Sequence, residues 1–240
     1  KTTSYRWTVN QGQDESLLVK LTDSSGALPD LSSGGVIATM FIKTSYSSVS
    51  AVAKIYSYTI AAGGSVTFAS RPTANDTITL IDNAGSPVTK TYKASDATTS
   101  GTLDGTDVLF DTDTNQTTTA AQFAAAVNHS NGHNGSITAT ASGSAVTLTQ
   151  GTAGKGGNTT ITVVQAGSAI SASNFSNGYD AEITLANKGE TTINLTNEVT
   201  AAMSAPSTFH YDIELGNYPS TGKVFRLLEG TVVTRPEITK

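Results

Sequence analysis

Cysteine is absent from the 240-residue chain, which excludes disulfides, thiolate metal sites and cysteine nucleophiles. Charge is scarce as well: 14% of residues are charged, 14 basic against 19 acidic, for a net charge of −5. The basic residues are scattered rather than gathered into a patch, so neither a nucleic-acid partner nor an anionic membrane is expected. Apolar runs stop far short of the ~20 residues that span a bilayer. The opening Lys1-Thr-Thr-Ser-Tyr-Arg-Trp7 lacks the apolar core of a secretion signal. With three histidines, imidazole chemistry also has few candidates.

What remains is a hydroxyl-rich chain with period-two patterning. Ser, Thr, Asn and Gly must cover most of the surface, which suits strands facing water rather than Lys/Glu-faced helices. Tyr5, Trp7 and Val9 alternate, as do Leu17, Val19 and Leu21. Further strands are predicted over 35–43, 51–60, 181–185, 192–195 and 210–215. Residues 224–228 and 231–234 read as a hairpin around Glu229-Gly230, and 196–203 as one helical turn capped by Thr196 or Asn197. Turn chemistry at Asp23-Ser-Ser-Gly26 and Ser32-Ser-Gly-Gly35 separates the early strands.

From about residue 63 to 178 the texture changes to Thr, Ala, Gly and Asp, with four basic and seven acidic residues. Strands are predicted over 77–82, 89–92, 106–111, 136–141, 145–150 and 159–164. One helix stands out over 117–128, capped by Thr117 or Thr118. Ala121, Phe123, Ala124, Ala125 and Val127 form its apolar stripe. The fold class is therefore all-β and mainly antiparallel. A discontinuous sandwich or barrel-like frame (1–62 plus 179–240) is interrupted by a β-rich insert (63–178) carrying one short helix.

The frame motifs, in order, are Ser4-Tyr-Arg-Trp7, Gln11-Gly-Gln-Asp14, Leu17-Leu-Val-Lys-Leu21, Asp30-Leu-Ser32 and Met40-Phe-Ile-Lys43. Much later come Ile193-Asn-Leu195, Thr200-Ala-Ala, His210-Tyr-Asp-Ile-Glu-Leu215, Gly222-Lys-Val224, Leu228-Glu-Gly230 and Pro236-Glu-Ile-Thr239. This series resembles the small β-domain at the N-terminus of phage upper-baseplate and related tail proteins. The middle resembles an insertion module of phage virion proteins. It carries Asp76-Thr-Ile-Thr79, Asp82 with Gly85, a Thr118–Val127 helix, Val146-Thr-Leu-Thr149, Gly151-Thr-Ala-Gly154 and Gly157-Asn-Thr-Thr-Ile161, with Lys155-Gly156 interposed. The resemblance implies attachment to other virion proteins in a symmetric, homo-oligomeric assembly, and localisation to a virion assembled in the bacterial cytoplasm.

Candidate chemistry is thin. His129 and His133 are four apart but sit where the helix breaks, so they read as solvated loop imidazoles rather than a metal pair. Asp111-Thr-Asp113-Thr-Asn115 has the odd-position oxygens of a calcium loop, yet Gln116 and Gln122 stand where the loop needs Gly and Glu. Gly151-Thr-Ala-Gly-Lys-Gly-Gly157 precedes β-branched residues rather than opening a helix, so it reads as a turn and not a phosphate loop. Asp212 and Glu214 lie two apart on one strand, as solvent-facing partners of a neighbouring Lys or Arg. His210 reads as a surface or sheet-edge residue. Tyr46, Tyr56 and Tyr58 are either interface anchors or cross-strand packing, and packing is the plainer reading. No catalytic, cofactor-binding or metal-ligating residue is assigned.

The expectation is a non-enzymatic structural component of a tailed-phage virion, tail- or baseplate-associated, with capsid decoration as the alternative. A host-glycan-binding module is the third reading. The insert offers it chiefly Tyr92, Phe110 and Phe123 as aromatic platforms.

Overall fold

The structure, a computed structural model, describes residues 3–22, 26–33, 35–96, 98–112, 115–217 and 224–236, without the side chains of Thr3, Ser4 and Phe225. Residues 1–2, 23–25, Gly34, Asp113, Thr114, Gly222, Lys223 and residues 237–239, which entered the motif reading, lie outside that set. In chain order the elements begin with strands β1 (Thr3–Asn10), β2 (Glu15–Lys20), β3 (Ile37–Lys43), β4 (Ala53–Tyr56), β5 (Gly63–Phe68) and β6 (Thr77–Ile81). Then come β7 (Thr89–Ser95), β8 (Leu103–Asp104), β9 (Asp107–Asp111), helix α1 (Gln116–Asn128), β10 (Ile137–Ser142), β11 (Ala145–Gln150) and β12 (Thr162–Val164). The rest are β13 (Ile170–Ser176), β14 (Ile183–Leu185), β15 (Glu190–Leu195), helix α2 (Asn197–Ala202), β16 (Ser207–Gly216) and β17 (Val224–Arg235). The chain is all-β and mainly antiparallel. It divides into two compact units, 1–58 with 181–240, and 59–180.

The discontinuous unit is a sandwich of a five-stranded sheet, β1-β17-β16-β3-β4, and a three-stranded sheet, β14-β15-β2. Alternation places Ala38, Met40 and Ile42 of β3, and Phe209, Tyr211, Ile213 and Leu215 of β16, on one inner face. They meet Ile183, Ile193 and Leu195 of the smaller sheet, and β1 adds Trp7 and Val9. Each of the buried Ile, Leu, Met, Phe and Val side chains stabilises the fold by roughly 1.5–3 kcal/mol. On one side the sheets are joined by a Tyr56–Ala181 bridge, with the Glu182 amide donating to the Tyr56 carbonyl at 2.8 Å.

The expected hairpin at Glu229-Gly230 does not form: β17 runs unbroken through both residues. Gly230 serves close approach instead of a turn. It lies beside Tyr5 of β1, where an added Cβ would come within 1.8 Å of the Tyr5 carbonyl oxygen. The Tyr211 hydroxyl reaches across to donate to that same oxygen at 3.2 Å. A bulge between Ile213 and Glu214 shifts the register of β17, which turns Arg226 to the outer face beside Glu214.

Helix α2 is capped from far away in sequence. Thr196 occupies the cap position but makes no side-chain cap bond. The Asp14 carboxylate accepts from the Asn197 amide at 2.6 Å instead. The Thr200 hydroxyl donates to the Gln13 carbonyl (2.8 Å), and Gln11 Nε2 donates to the Met203 carbonyl (3.0 Å). The β1–β2 turn and α2 are thus one hydrogen-bonded assembly.

The 59–180 unit has two sheets, β10-β11-β5-β13 and β12-β6-β7-β9-β8, with α1 packed among them. Its core centres on Phe123 of α1, whose ring lies 5.4 Å from Phe110, 5.5 Å from Tyr92 and 5.8 Å from Phe68. The buried face of α1 is Thr119, Ala120, Phe123, Ala124, Ala126 and Val127; Ala121 and Ala125 of the expected stripe face water. The cap is Asn115, accepting from the Thr118 amide at 2.9 Å, rather than either threonine. At the far end Asn128 reaches the edge strand β10, where its carboxamide bonds both the N–H (3.0 Å) and the C=O (2.8 Å) of Ala139. Where the chain enters and leaves this unit, Ile60 and Tyr179 exchange two backbone bonds of 2.8 and 3.1 Å.

Candidate functional site

A connected polar cluster in the 59–180 unit contains Asp82, His133, Ser136 and Tyr92. The residue types invite a hydrolase reading, and the wiring argues against it. The Ser136 hydroxyl lies 2.6 Å from Asp82 Oδ2 and 2.8 Å from the His133 carbonyl, not against the imidazole. His133 Nδ1 faces the Tyr92 hydroxyl at 2.6 Å, and Nε2 faces the Val88 carbonyl at 3.3 Å. The carbonyl contact fixes the proton on Nε2, leaving Nδ1 to accept from Tyr92. With both ring nitrogens occupied, His133 has no free position from which to activate Ser136.

Electrostatics in the cluster favour a fixed network. Burial holds the His133 imidazole below its ordinary pKa, against the opposing Val88 carbonyl and Asp82 charge, so it is neutral. Burial alone would raise Asp82. The Ser136 hydroxyl and the Val88 and Ala84 amides outweigh that and hold the carboxyl below the usual range. Burial pushes the Tyr92 hydroxyl up. These bonds tie the β6–β7 turn to the segment after α1. His133 is therefore a buried structural residue and not the solvated loop imidazole the sequence suggested.

The other sequence candidates separate in space. His129 Nδ1 accepts from the Asn131 amide, and its ring lies under Gly101; no cluster of metal-ligating side chains occurs among the described residues. In the 111–115 segment, whose spacing only partly matches a calcium loop, Asn115 is used as the helix cap and Asp111 Oδ1 faces the Thr98 amide at 3.4 Å. The glycine-rich segment forms a single 3-10 turn, Lys155–Gly157. Its amides already have protein acceptors: Gly154 donates to Ile60 O, Lys155 to Asp180 Oδ1 and Gly157 to Gly154 O. Those N–H groups do not cradle a phosphate. Tyr92, Phe110 and Phe123 are fully buried and present no face to a sugar.

The discontinuous unit carries its functional potential on its surface. β16 lies between β17 and β3, so His210 is on the outer face of a central strand and not at an edge. Tyr46, 61% exposed, lies against it with the ring centroids 4.2 Å apart and the planes tilted by 45°. Arg226 lies 3.6 Å from Asp212, 3.8 Å from Glu214 and 3.6 Å from Glu229, an exposed ion-pair group worth little to stability. Tyr56 and Tyr58 pack against each other at 5.3 Å, and Trp7 is core. On the side away from the Tyr56–Ala181 bridge, β1 and β2 flank an apolar groove of about 260 Å³ lined by Tyr5, Leu17, Leu18, Val19, Lys20 and Leu228. Nothing in the sequence marked this groove, because Tyr5 and Leu17 read as ordinary core positions. No protein-family model, curated protein or solved structure matches the chain.

Proposed function

We propose that the chain is a non-enzymatic structural protein of a tailed-bacteriophage particle, a tail- or baseplate-associated adaptor present in several symmetric copies. In this reading the 1–58/181–240 unit docks to other virion proteins, and 59–180 is a module carried within it. The observation that supports it best is how the motif-bearing ends of the chain combine. Ser4-Tyr-Arg-Trp7 lies on β1 against Leu228-Glu-Gly230 of β17. β2, which carries Leu17-Leu-Val-Lys, pairs with β15, which carries Ile193-Asn-Leu195, the two motifs meeting at Leu17 and Ile193, and His210–Ile213 on β16 pairs with Met40-Phe-Ile-Lys43 on β3. Segments that carry the baseplate-domain resemblance, separated by the whole insert, are thus neighbouring strands of one body.

The test is to purify particles of the encoding phage by density gradient, detect the chain by mass spectrometry, and label it with gold-coupled antibody. Label at the tail tip or baseplate supports the adaptor. Label spread over the head makes the chain a capsid-decoration protein. A chain present in the lysate but missing from particles ends the structural reading, and glycan-array binding becomes the next question.

A further inference from the structure

The chain contains three Asn-Gly pairs, Asn131-Gly132, Asn134-Gly135 and Asn177-Gly178. In such a pair the glycine nitrogen can attack the preceding carboxamide with little hindrance, because glycine has no side chain to crowd it. The attack needs a free carboxamide and a free glycine N–H. At two of the pairs the fold withholds both. The Gly132 N–H donates to the His129 carbonyl (2.8 Å), and the Asn131 carboxamide donates to the Gly101 carbonyl (2.9 Å). The Gly178 N–H donates to Asn158 Oδ1 (2.8 Å), and Asn177 Nδ2 lies 3.3 Å from Ser176 Oγ. Gly132 and Gly178 are also buried.

Asn134-Gly135 is different. Both residues are exposed, and among the described residues neither the Asn134 carboxamide nor the Gly135 N–H has a hydrogen-bond partner. They take consecutive left-handed conformations, with φ of 44° and 93°, a backbone that favours Asn followed by Gly. The chain on either side is held. The His133 and Asn134 amides both donate to the Val127 carbonyl (2.9 and 3.2 Å), and the Ser136 carbonyl accepts from the Gly151 amide (2.8 Å). The Ser136 amide closes the turn onto the His133 carbonyl at 2.9 Å. The reactive pair is thus a loop between two members of the polar cluster, His133 bonded to Tyr92 and Ser136 bonded to Asp82.

We propose that Asn134 is a self-modification site, converting without an enzyme to aspartate and isoaspartate through a succinimide and thereby loosening the cluster beside it. The Gly135 nitrogen forms a bond to Asn134 Cγ, the Cγ–Nδ2 bond breaks, and the Gly135 proton leaves with the amino group as ammonia. Water then opens the five-membered imide. Cleavage of the new Cγ–N bond gives aspartate. Cleavage between the main-chain carbonyl carbon of residue 134 and the Gly135 nitrogen gives isoaspartate, whose backbone runs through Cβ and Cγ and is one methylene longer. No electrons are exchanged, and water is the only co-reactant. Either product adds one negative charge to the chain's −5. In the isoaspartate form the extra methylene falls inside the turn closed by Ser136 and His133, and it strains the bonds that hold Ser136 to Asp82 and His133 to Tyr92. The assignment goes beyond the virion reading and does not depend on it.

To test this, the full chain is incubated in mildly alkaline buffer and the three pairs are followed by peptide mapping with mass spectrometry. Electron-transfer fragmentation separates isoaspartate from aspartate. Modification at Asn134 is expected at least roughly tenfold faster than at Asn131 or Asn177, since those sites must first release a held amide and a held carboxamide. In the urea-unfolded chain the three rates should converge. The isoaspartate form, separated chromatographically, should melt below the parent in its 59–180 transition. Asn134→Asp carries the same charge on an unlengthened backbone and should melt nearer to the parent. Equal folded-state rates at the three pairs, a faster rate at Asn131 or Asn177, or a preference for Asn134 that persists undiminished in urea would overturn the assignment. So would an isoaspartate form that melts together with the parent.

Discussion

Replacing Phe123 by alanine removes the ring on which the 59–180 core converges. The side chain is fully buried and meets Phe68, Tyr92 and Phe110 at centroid distances of 5.4–5.8 Å. A buried Phe→Ala change costs about 3–5 kcal/mol. Three edge-on partners lift this site above the bottom of that range, since such pairs add to plain burial. With α1 held at both ends by Asn115 and Asn128, collapse into the cavity is restricted, so about 4 kcal/mol is expected. For a unit of this size that lowers the melting temperature by roughly 15 °C. Differential scanning calorimetry follows both units. The single tryptophan, Trp7, lies in the other one, so its fluorescence separates the transitions. Phe123→Leu should cost roughly half as much, because it leaves a smaller cavity. A loss below about 1.5 kcal/mol for the alanine variant, or a shift confined to the transition that Trp7 reports, would refute the packing argument.

Three further outcomes follow from local chemistry. His133 is held neutral below its ordinary 6.5, so between its folded pKa and 6.5 the unfolded chain binds more protons. That contribution is complete above 6.5 and is lost as pH falls through this window. Asp82, held below 3.8, adds a contribution present above 3.8 and lost as pH falls further. Urea midpoints measured against pH should show both declines, and His133→Gln should remove the first. Gly230→Ala puts a Cβ against the Tyr5 carbonyl and should displace β1, seen as a red shift of Trp7 emission. Asn128→Ala strands two backbone groups of Ala139 and should cost about 2 kcal/mol in denaturant titrations. The freed β10 edge should also make the chain associate with rising concentration in light scattering.

Much of the architecture was legible because it rests on local periodicity. The alternation in β3, β9, β11 and β16, the helix over 117–128 and the change of texture in the middle all follow from side-chain spacing. What escaped depended on partners distant in sequence. β13 escaped because its residues are mostly polar and only Ile170 and Phe175 are buried. β5 begins with two glycines, which read as a boundary. Gly230 read as a turn because its requirement comes from β1, more than two hundred residues earlier. Asp14 capping α2, and the burial of His133 beneath Tyr92, have no local signature either. The groove was least legible of all. It exists because two strands with ordinary inward-facing residues part company after a shared turn, and a one-dimensional pattern does not record which edges stay unpaired.

The central claim is that this chain is a virion protein attached through its discontinuous unit. Cryo-electron microscopy of the intact particle tests it most directly. The account predicts symmetric density for the chain at the tail or baseplate, with neighbouring virion proteins contacting residues 1–58 and 181–240. Particles whose density has no place for the chain, or contacts made through residues 59–180 alone, would contradict it.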